Sequence, residues 1–232
     1  MNEWPEILFI DKPTGITSFD VIRQLRRAYG AAHNGEKAPK MGHAGTLDPL
    51  ATGLMIIGVG VGTKKLQEYI KLDKEYIAEV LIGERRTTGD MEGEVVEERE
   101  VMEEVAILRS KIATELTDMT GVLTLPVSAY SAIKKNGVPM YKRARAAARK
   151  GEEVLEVPLR DMNVYEAELL GVASGDGKAV ATIRFHVGSG TYIRSLGEEL
   201  GRRIGYPATL KNLRRTQIGE FTINDAHTID NL

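Results

Sequence analysis

The sequence predicts an α+β fold: a mixed, mostly antiparallel sheet flanked by helices and loops. Three observations lead there. Strand-like and helix-like patterns interleave along the chain without the steady strand–helix–strand rhythm of a doubly wound sheet. The 232 residues, 42% of them hydrophobic, are enough to bury a core without covalent staples. Cysteine is absent, which excludes a disulfide framework, thiolate metal sites, iron–sulfur clusters and a cysteine nucleophile.

Residues 6–10 (EILFI) read as a short buried strand, stopped by DKPTG, where Pro13 and Gly15 punctuate. A helix is expected from Thr17 or Ser18, either of which can cap it, with Asp20 in the first turn where the helix dipole favours an acid. Val21, Ile22, Leu25 and Ala28 form its apolar stripe, and Gly30 is placed to end it. Residues 30–42 read as an irregular, mobile loop. Residues 75–83 and 94–98 are expected as strands of a hairpin-like unit around a loop at 84–93. Val105, Leu108, Ile112 and Leu116 recur at helical spacing, closing at Gly121. Pro139 and Gly151 bracket another helix, proline at its start and glycine past its end. Ala181, Ile183, Phe185 and Val187 alternate with polar residues as a half-buried strand. Ile193, Leu196, Leu200 and Ile204 give a final helix before Gly205, and only a short tail follows 222.

The net charge is −2, from 31 basic and 33 acidic residues, but it is unevenly spread. Lys134, Lys135, Lys142, Arg143, Arg145, Arg149 and Lys150 crowd one stretch without an acid. Arg202, Arg203, Lys211, Arg214 and Arg215 crowd another, whereas 90–104 sets eight acids against Arg99. Such segregation fits a basic face for a phosphate backbone, or simply solvated helix surfaces. No apolar run approaches the roughly 18 residues of a membrane helix, and the N-terminus lacks the pattern of a signal peptide, so an intracellular, soluble protein is expected.

The most unusual segment is 40–53, KMGHAGTLDPLATG, with three glycines and one proline around a single carboxylate, Asp48. Pro49 pushes Asp48 toward extended geometry. Asp48 is then either a pre-positioned reactive group or the cap of a helix starting at Pro49, and both can hold at once. The glycine run 58–65 (GVGVGTKK) hints at a nucleotide loop, but its spacing fits neither the dinucleotide fingerprint nor the P-loop. His33, His43, His186 and His227 show no metal-ligand spacing.

The string GHAGTLDPLATG resembles the signature of the TruB family of pseudouridine synthases. Asp11-Lys12-Pro13-Thr14-Gly15-Ile16-Thr17-Ser18 resembles the family's N-terminal motif, and Lys74-Glu75-Tyr76 its Lys-x-Tyr motif. Pro126, Tyr130-Ser131-Ala132-Ile133-Lys134, Gly137 and Tyr141 match the central block. Gly190-Thr191-Tyr192-Ile193-Arg194 and Leu213-Arg214-Arg215-Thr216 match the last two. The matches run in register from residue 11 to 216.

The resemblance implies a pseudouridine synthase fold with a central active-site cleft, and isomerisation of uridine 55 in the T loop of tRNA through a flipped-out base. It implies Asp48 as the essential carboxylate, Tyr76 stacked on the target base near C5, and Arg194 paired with Asp48, with Asp90 as a second acidic neighbour. His43 would fill the gap left by the uridine, and Leu213 would line the uracil pocket. Lys12 would brace the site or contact phosphate, and Lys134 and Arg214 would contact the RNA. No cofactor and no metal are implied. The expected partner is the T arm of tRNA, for a cytoplasmic monomer with no obligatory protein partner and no membrane association. Arg86-Thr87-Thr88 departs from the common Thr-Asp-Thr, and Gly188-Ser189 stands where relatives often have Ser-Lys. With the sequence ending at Leu232, residues 1–232 are expected to be a catalytic domain without the PUA-like domain of bacterial relatives, leaving the two basic stretches to carry most phosphate contact. A non-catalytic RNA-folding module would use the same basic face without needing Asp48. The guided H/ACA synthases share the ancestry, though the Asp-Pro-Leu-Ala-Thr-Gly string resembles the stand-alone bacterial type.

Overall fold

The computed structural model describes residues 4–131, 133–135, 137–150 and 157–229. Strand β1 (Ile7–Lys12) alternates half-buried and buried residues, so it has one core face, and it runs two residues beyond the apolar string to include Lys12. Helix α1 (Ser18–Ala32) starts where the capping pattern places it. Thr17 Oγ1 accepts from the Asp20 amide and the Asp20 carboxylate accepts from the Thr17 amide, a reciprocal cap. Val21, Ile22 and Leu25 are buried as expected, but Gly30 does not end the helix, which caps at His33. A lone glycine costs a helix only about 1 kcal/mol, and the packed stripe offsets it.

Next come β2 (Met41–His43) and β3 (Thr52–Val59). No helix follows Pro49: residues 49–50 bend and lead into β3, so Asp48 is not the cap of a helix there. β3 is buried along nearly its whole length, which explains the unbroken Leu54-Met55-Ile56-Ile57 run. The glycine run beyond it is a short 3₁₀ turn, Gly60–Lys64. Its glycines serve packing: a Cβ on Gly62 would lie 2.0 Å from the Glu6 carbonyl oxygen. Helix α2 (Leu66–Lys71) and β4 (Lys74–Ile82) follow. Gly83, at φ +106°, then breaks the chain before β5 (Glu84–Arg86). It is β5, not β4, that pairs antiparallel with β6 (Val95–Glu98).

Helix α3 (Val105–Asp118) buries Leu108, Ile112 and Leu116 and leads into β7 (Gly121–Pro126). Short strands β8 (Lys134–Lys135) and β9 (Val138–Pro139) precede α4 (Met140–Ala148), so the expected helix is present but Pro139 ends β9 just before it rather than opening it, while Gly151 lies outside the described residues. The long β10 (Leu159–Gly175) had no clear sequence signal. β11 (Lys178–Val187) alternates as predicted. Helix α5 (Ile193–Ile204) ends at Gly205 with φ +83°. The chain closes with β12 (Ala208–Ile218), β13 (Phe221–Thr222) and a 3₁₀ turn, Ile223–Asp225.

These elements form two compact units, one of residues through Ile77 with those from Leu213 onward, the other Ala78–Asn212. In the first, β3 pairs antiparallel with β1 and β2 and parallel with β12, and β13 folds back on β12. Its core gathers Ala44, Leu54, Ile56, Leu66 and Ile218, with Phe9 stacked on Phe221 at 4.8 Å. In the second, the strand order is β4–β11–β10–β7, with β10 antiparallel to both its neighbours. Ala181, Ile183 and Phe185 lie fully buried on β11, and α3 packs on β10 and α5. Fully burying each large aliphatic or aromatic side chain contributes about 1.5–3 kcal/mol. The sheet is thus mixed and mostly antiparallel, as predicted. Among the described residues no helix is long and apolar enough to cross a membrane.

Candidate active site

Asp48 stands, half-buried, on the loop between β2 and β3. That loop has little regular structure of its own, and backbone groups along it are held from outside. Lys12, wholly buried at the end of β1, donates its ammonium to the carbonyl oxygens of Ala51 at 2.6 Å, Pro13 at 2.9 Å and Pro49 at 3.2 Å. The Gly15 amide also donates to Pro49 O at 2.8 Å, and Thr14 Oγ1 to Leu50 O at 3.1 Å. Ahead of Asp48, the Leu47 backbone is bonded to Ser18. Of the two roles open to Lys12, its burial and its carbonyl partners favour bracing the loop over meeting a phosphate.

Arg215 is another buried cation of this unit. Only 1% exposed, it donates Nε to Leu54 O at 2.7 Å and a terminal nitrogen to Gly45 O at 3.3 Å. His43, half-buried in β2, has its pKa held below the usual 6.5, first by burial and then by the nearby positive charge of Arg215. Its Nδ1 is buried without a hydrogen-bond partner among the described residues. A neutral ring of this kind is suited to stacking rather than to charge pairing. Tyr76 and Lys74 share the buried face of β4. Lys74 donates to the carbonyls of Ile70 at 2.7 Å and of Leu72, closing the end of α2, and burial together with Arg215 lowers its pKa to about 8. Leu213 is buried in β12, while Arg214 reaches Asp11 with two nitrogens at 2.8 and 3.1 Å.

In the second unit, Arg194 lies at the start of α5 with one guanidinium nitrogen 3.3 Å from Asp90 Oδ2, both side chains buried. The same nitrogen donates to Thr88 O at 3.1 Å. Asp90 Oδ1 accepts from Thr88 Oγ1 at 2.6 Å and from the Glu92 amide at 3.1 Å. The expected neighbourhood of Arg194 and Asp90 is therefore present. Arg86, in the loop that departs from the family pattern, closes it: it donates to Gly93 O at 3.0 Å and pairs with Glu84 at 2.5 Å. Burial pushes the Glu198 carboxyl up, opposed by Arg85 and Arg194 and reinforced by Asp90.

The basic stretches differ from the sequence expectation. In 202–215 the missing acids come from elsewhere: Arg202 and Arg203 pair with Glu199 at 2.7 Å, Lys211 lies 4.0 Å from Glu79, Arg214 pairs with Asp11, and Arg215 is internal. In the other stretch Lys142, Arg143, Arg149 and Lys150 are exposed with no ion pair among the described residues, while the side chains of Lys134, Lys135 and Arg145 lie outside them. The sequence offered Ser18 only as a candidate helix cap, counted Arg215 among the phosphate-facing cations and named Lys74 only within a motif; the backbone contacts that these three make were missed. Their partners are mostly backbone carbonyls, which leave no mark in a residue pattern.

In fold, the chain matches the structure of an H/ACA RNP bound to a substrate RNA containing 2′-deoxyuridine, with a TM-score of 0.65, 24% identity, and coverage of 97% of this chain and 51% of that one. The archaeal box H/ACA sRNP Nop10–Cbf5 complex gives a TM-score of 0.63, also at 24% identity and the same coverage. The chain thus spans about half the length of those solved chains, and the architecture is the pseudouridine synthase fold. Sequence places it further. The model of the TruB family pseudouridylate synthase N-terminal domain matches residues 28–193. The tRNA pseudouridine synthase B of Leifsonia xyli subsp. xyli is 39% identical over 226 residues, covering 97% of this chain and 71% of that protein. The tRNA pseudouridine synthase B of Thermobifida fusca is 38% identical over 232 residues, 97% of this chain and 73% of that protein. The chain belongs to the TruB family of pseudouridylate synthases.

Proposed function

We propose that the chain isomerises uridine 55 in the T loop of tRNA to pseudouridine, with Asp48 as the essential carboxylate. The N1–C1′ bond breaks, the uracil turns, C5 bonds to C1′, the C5 hydrogen leaves and N1 takes up a proton. One glycosidic bond replaces another within a single nucleotide, so the reaction needs no cofactor. Asp48 acts as a nucleophile or as a carrier of the proton. The observation that carries this reading is the braced loop: the carboxylate sits in the family's signature string with carbonyls at Leu47, Pro49, Leu50 and Ala51 tied down from outside. A group fixed in this way reacts without first paying for reorganisation.

In this proposal Tyr76 stacks on the target base, Arg194 pairs with Asp48, and Asp90 holds Arg194. His43 replaces the flipped nucleotide in the T loop, since extruding a base costs a few kcal/mol that a substitute stacking partner returns. Leu213 lines the uracil pocket, and Lys134 and Arg214 contact the RNA. The enzyme works in the cytoplasm as a monomer without an obligatory protein partner.

Tritium release from tRNA labelled at uridine C5 tests the proposal, because isomerisation must expel that hydrogen. The wild type is expected to release it, and Asp48→Asn to lose at least ~10³-fold in rate while still binding tRNA. Full activity in Asp48→Asn would sink the assignment.

A further inference from the structure

We infer that Ser18 is a positioning residue for Asp48, a role that rests on the proposed function of that carboxylate. Ser18 Oγ accepts from the Leu47 amide at 2.8 Å and donates to the Leu47 carbonyl at 2.9 Å. A hydroxyl can serve as donor and acceptor at once, so one atom holds both polar backbone groups of the residue immediately before Asp48. Ser18 is 2% exposed and Leu47 is 3% exposed, so water does not stand in for the hydroxyl.

Ser18 itself has little freedom. It is the first residue of α1, whose reciprocal Thr17–Asp20 cap fixes the helix start, and the helix that follows buries Val21, Ile22 and Leu25. Gly45 opens the loop at φ +106°, Gly53 stands just inside β3 at φ +107°, and residues 46–51, between Gly45 and β3, form neither helix nor strand. On the far side of Asp48 the chain is held by Lys12, Thr14 and Gly15. On the near side Ser18 supplies the attachment closest to the carboxylate, ahead of the longer Arg215 contact at Gly45. The two dihedrals between the Leu47 and Asp48 α-carbons set where the carboxylate points, and Ser18 fixes the peptide groups on both sides of Leu47. Helix α1 thereby serves as the anvil against which the reactive loop is set.

The test uses the full chain with Ser18→Ala and Ser18→Thr. Single-turnover tritium release from C5-labelled tRNA, the tRNA Kd, and hydrogen exchange of the Leu47 amide are measured together. A misplacement near 1 Å costs about 10²-fold, so Ser18→Ala should lose roughly 10–100-fold in rate with Kd within twofold of wild type. Its Leu47 amide should exchange faster, and Ser18→Thr, which keeps the hydroxyl, should recover most of the rate. Release by Ser18→Ala within twofold of wild type, or an equally protected Leu47 amide, overturns the role. Should the wild type itself release no tritium, the isomerisation proposal fails, and the Leu47 exchange alone decides whether Ser18 holds this loop.

Discussion

Replacing Gly53 with alanine should damage the fold and the Asp48 loop together. Gly53 lies opposite Arg215 where β3 and β12 pair in parallel, and opposite Lys12 where β3 pairs with β1. Its φ of +107° already disfavours an L side chain, at about 1–2 kcal/mol. A Cβ there would also lie 2.2 Å from Arg215 O, 2.7 Å from its amide nitrogen and 2.9 Å from its carbonyl carbon. Those atoms are backbone in a paired strand, so relief means parting β3 from β12, and overpacking of this kind costs about 1–3 kcal/mol. Together the loss is roughly 2–5 kcal/mol, which for a chain of this size lowers Tm by about 5–15 °C. Arg215 would carry its bonds to Leu54 and Gly45 with it, so tritium release should fall as well. Gly205→Ala is the control, because Gly205 has φ +83° but nothing within 4 Å of a Cβ. Thermal unfolding followed by circular dichroism reads both variants. Equal Tm losses in the two would refute the argument, since only Gly53 adds the backbone overlap.

Asp90→Ala takes the 3.3 Å ion-pair partner from the buried Arg194 guanidinium and should cost about 2–4 kcal/mol, read as a lower urea midpoint; Asp90→Asn, which retains bonding capacity toward Thr88 and Glu92, should lose less. His43 binds protons less readily in the fold than in the unfolded chain, so stability should decline as pH falls below about 6.5, and His43→Gln should flatten the stability profile between pH 7 and 5. Lys142→Ala and Arg143→Ala, at exposed cations without ion pairs among the described residues, should each reduce the salt slope of tRNA binding by about 1. In the same titration Arg202→Ala should change the slope less, because its guanidinium is already paired with Glu199, a carboxylate it shares with Arg203.

Some of the fold was legible because its signals are local. The Thr17–Asp20 cap, the four apolar residues of α5 before Gly205, and the alternation on β11 each depend on a few neighbouring side chains. β10 was not legible: much of its 17-residue length is exposed, so its alternation is weak, and it becomes a strand by pairing with β7 and β11. The hairpin at 84–98 was misplaced because Gly83 breaks the strand only through its left-handed backbone, at a point where a Cβ would lie 3.0 Å from Arg99 O.

At the candidate site, the string around Asp48 carried the family resemblance unaided, and the residues that would do chemistry stand in motifs visible in one dimension. Their support does not. Asp-Pro locally suggests a capped helix, yet β1 and α1 bring Lys12 and Ser18 against the carbonyls of this loop, and the chain turns into β3 instead. The basic run 202–215 had no acid in sequence, yet Asp11, Glu79 and Glu115 reach it across the fold. By itself the sequence determined the family, the setting of Asp48 among glycines, and the elements with local periodicity and caps. Only the tertiary structure decided which cations stay available and what holds Asp48 in place, because bonds to backbone carbonyls and charges met across long loops have no local sequence period.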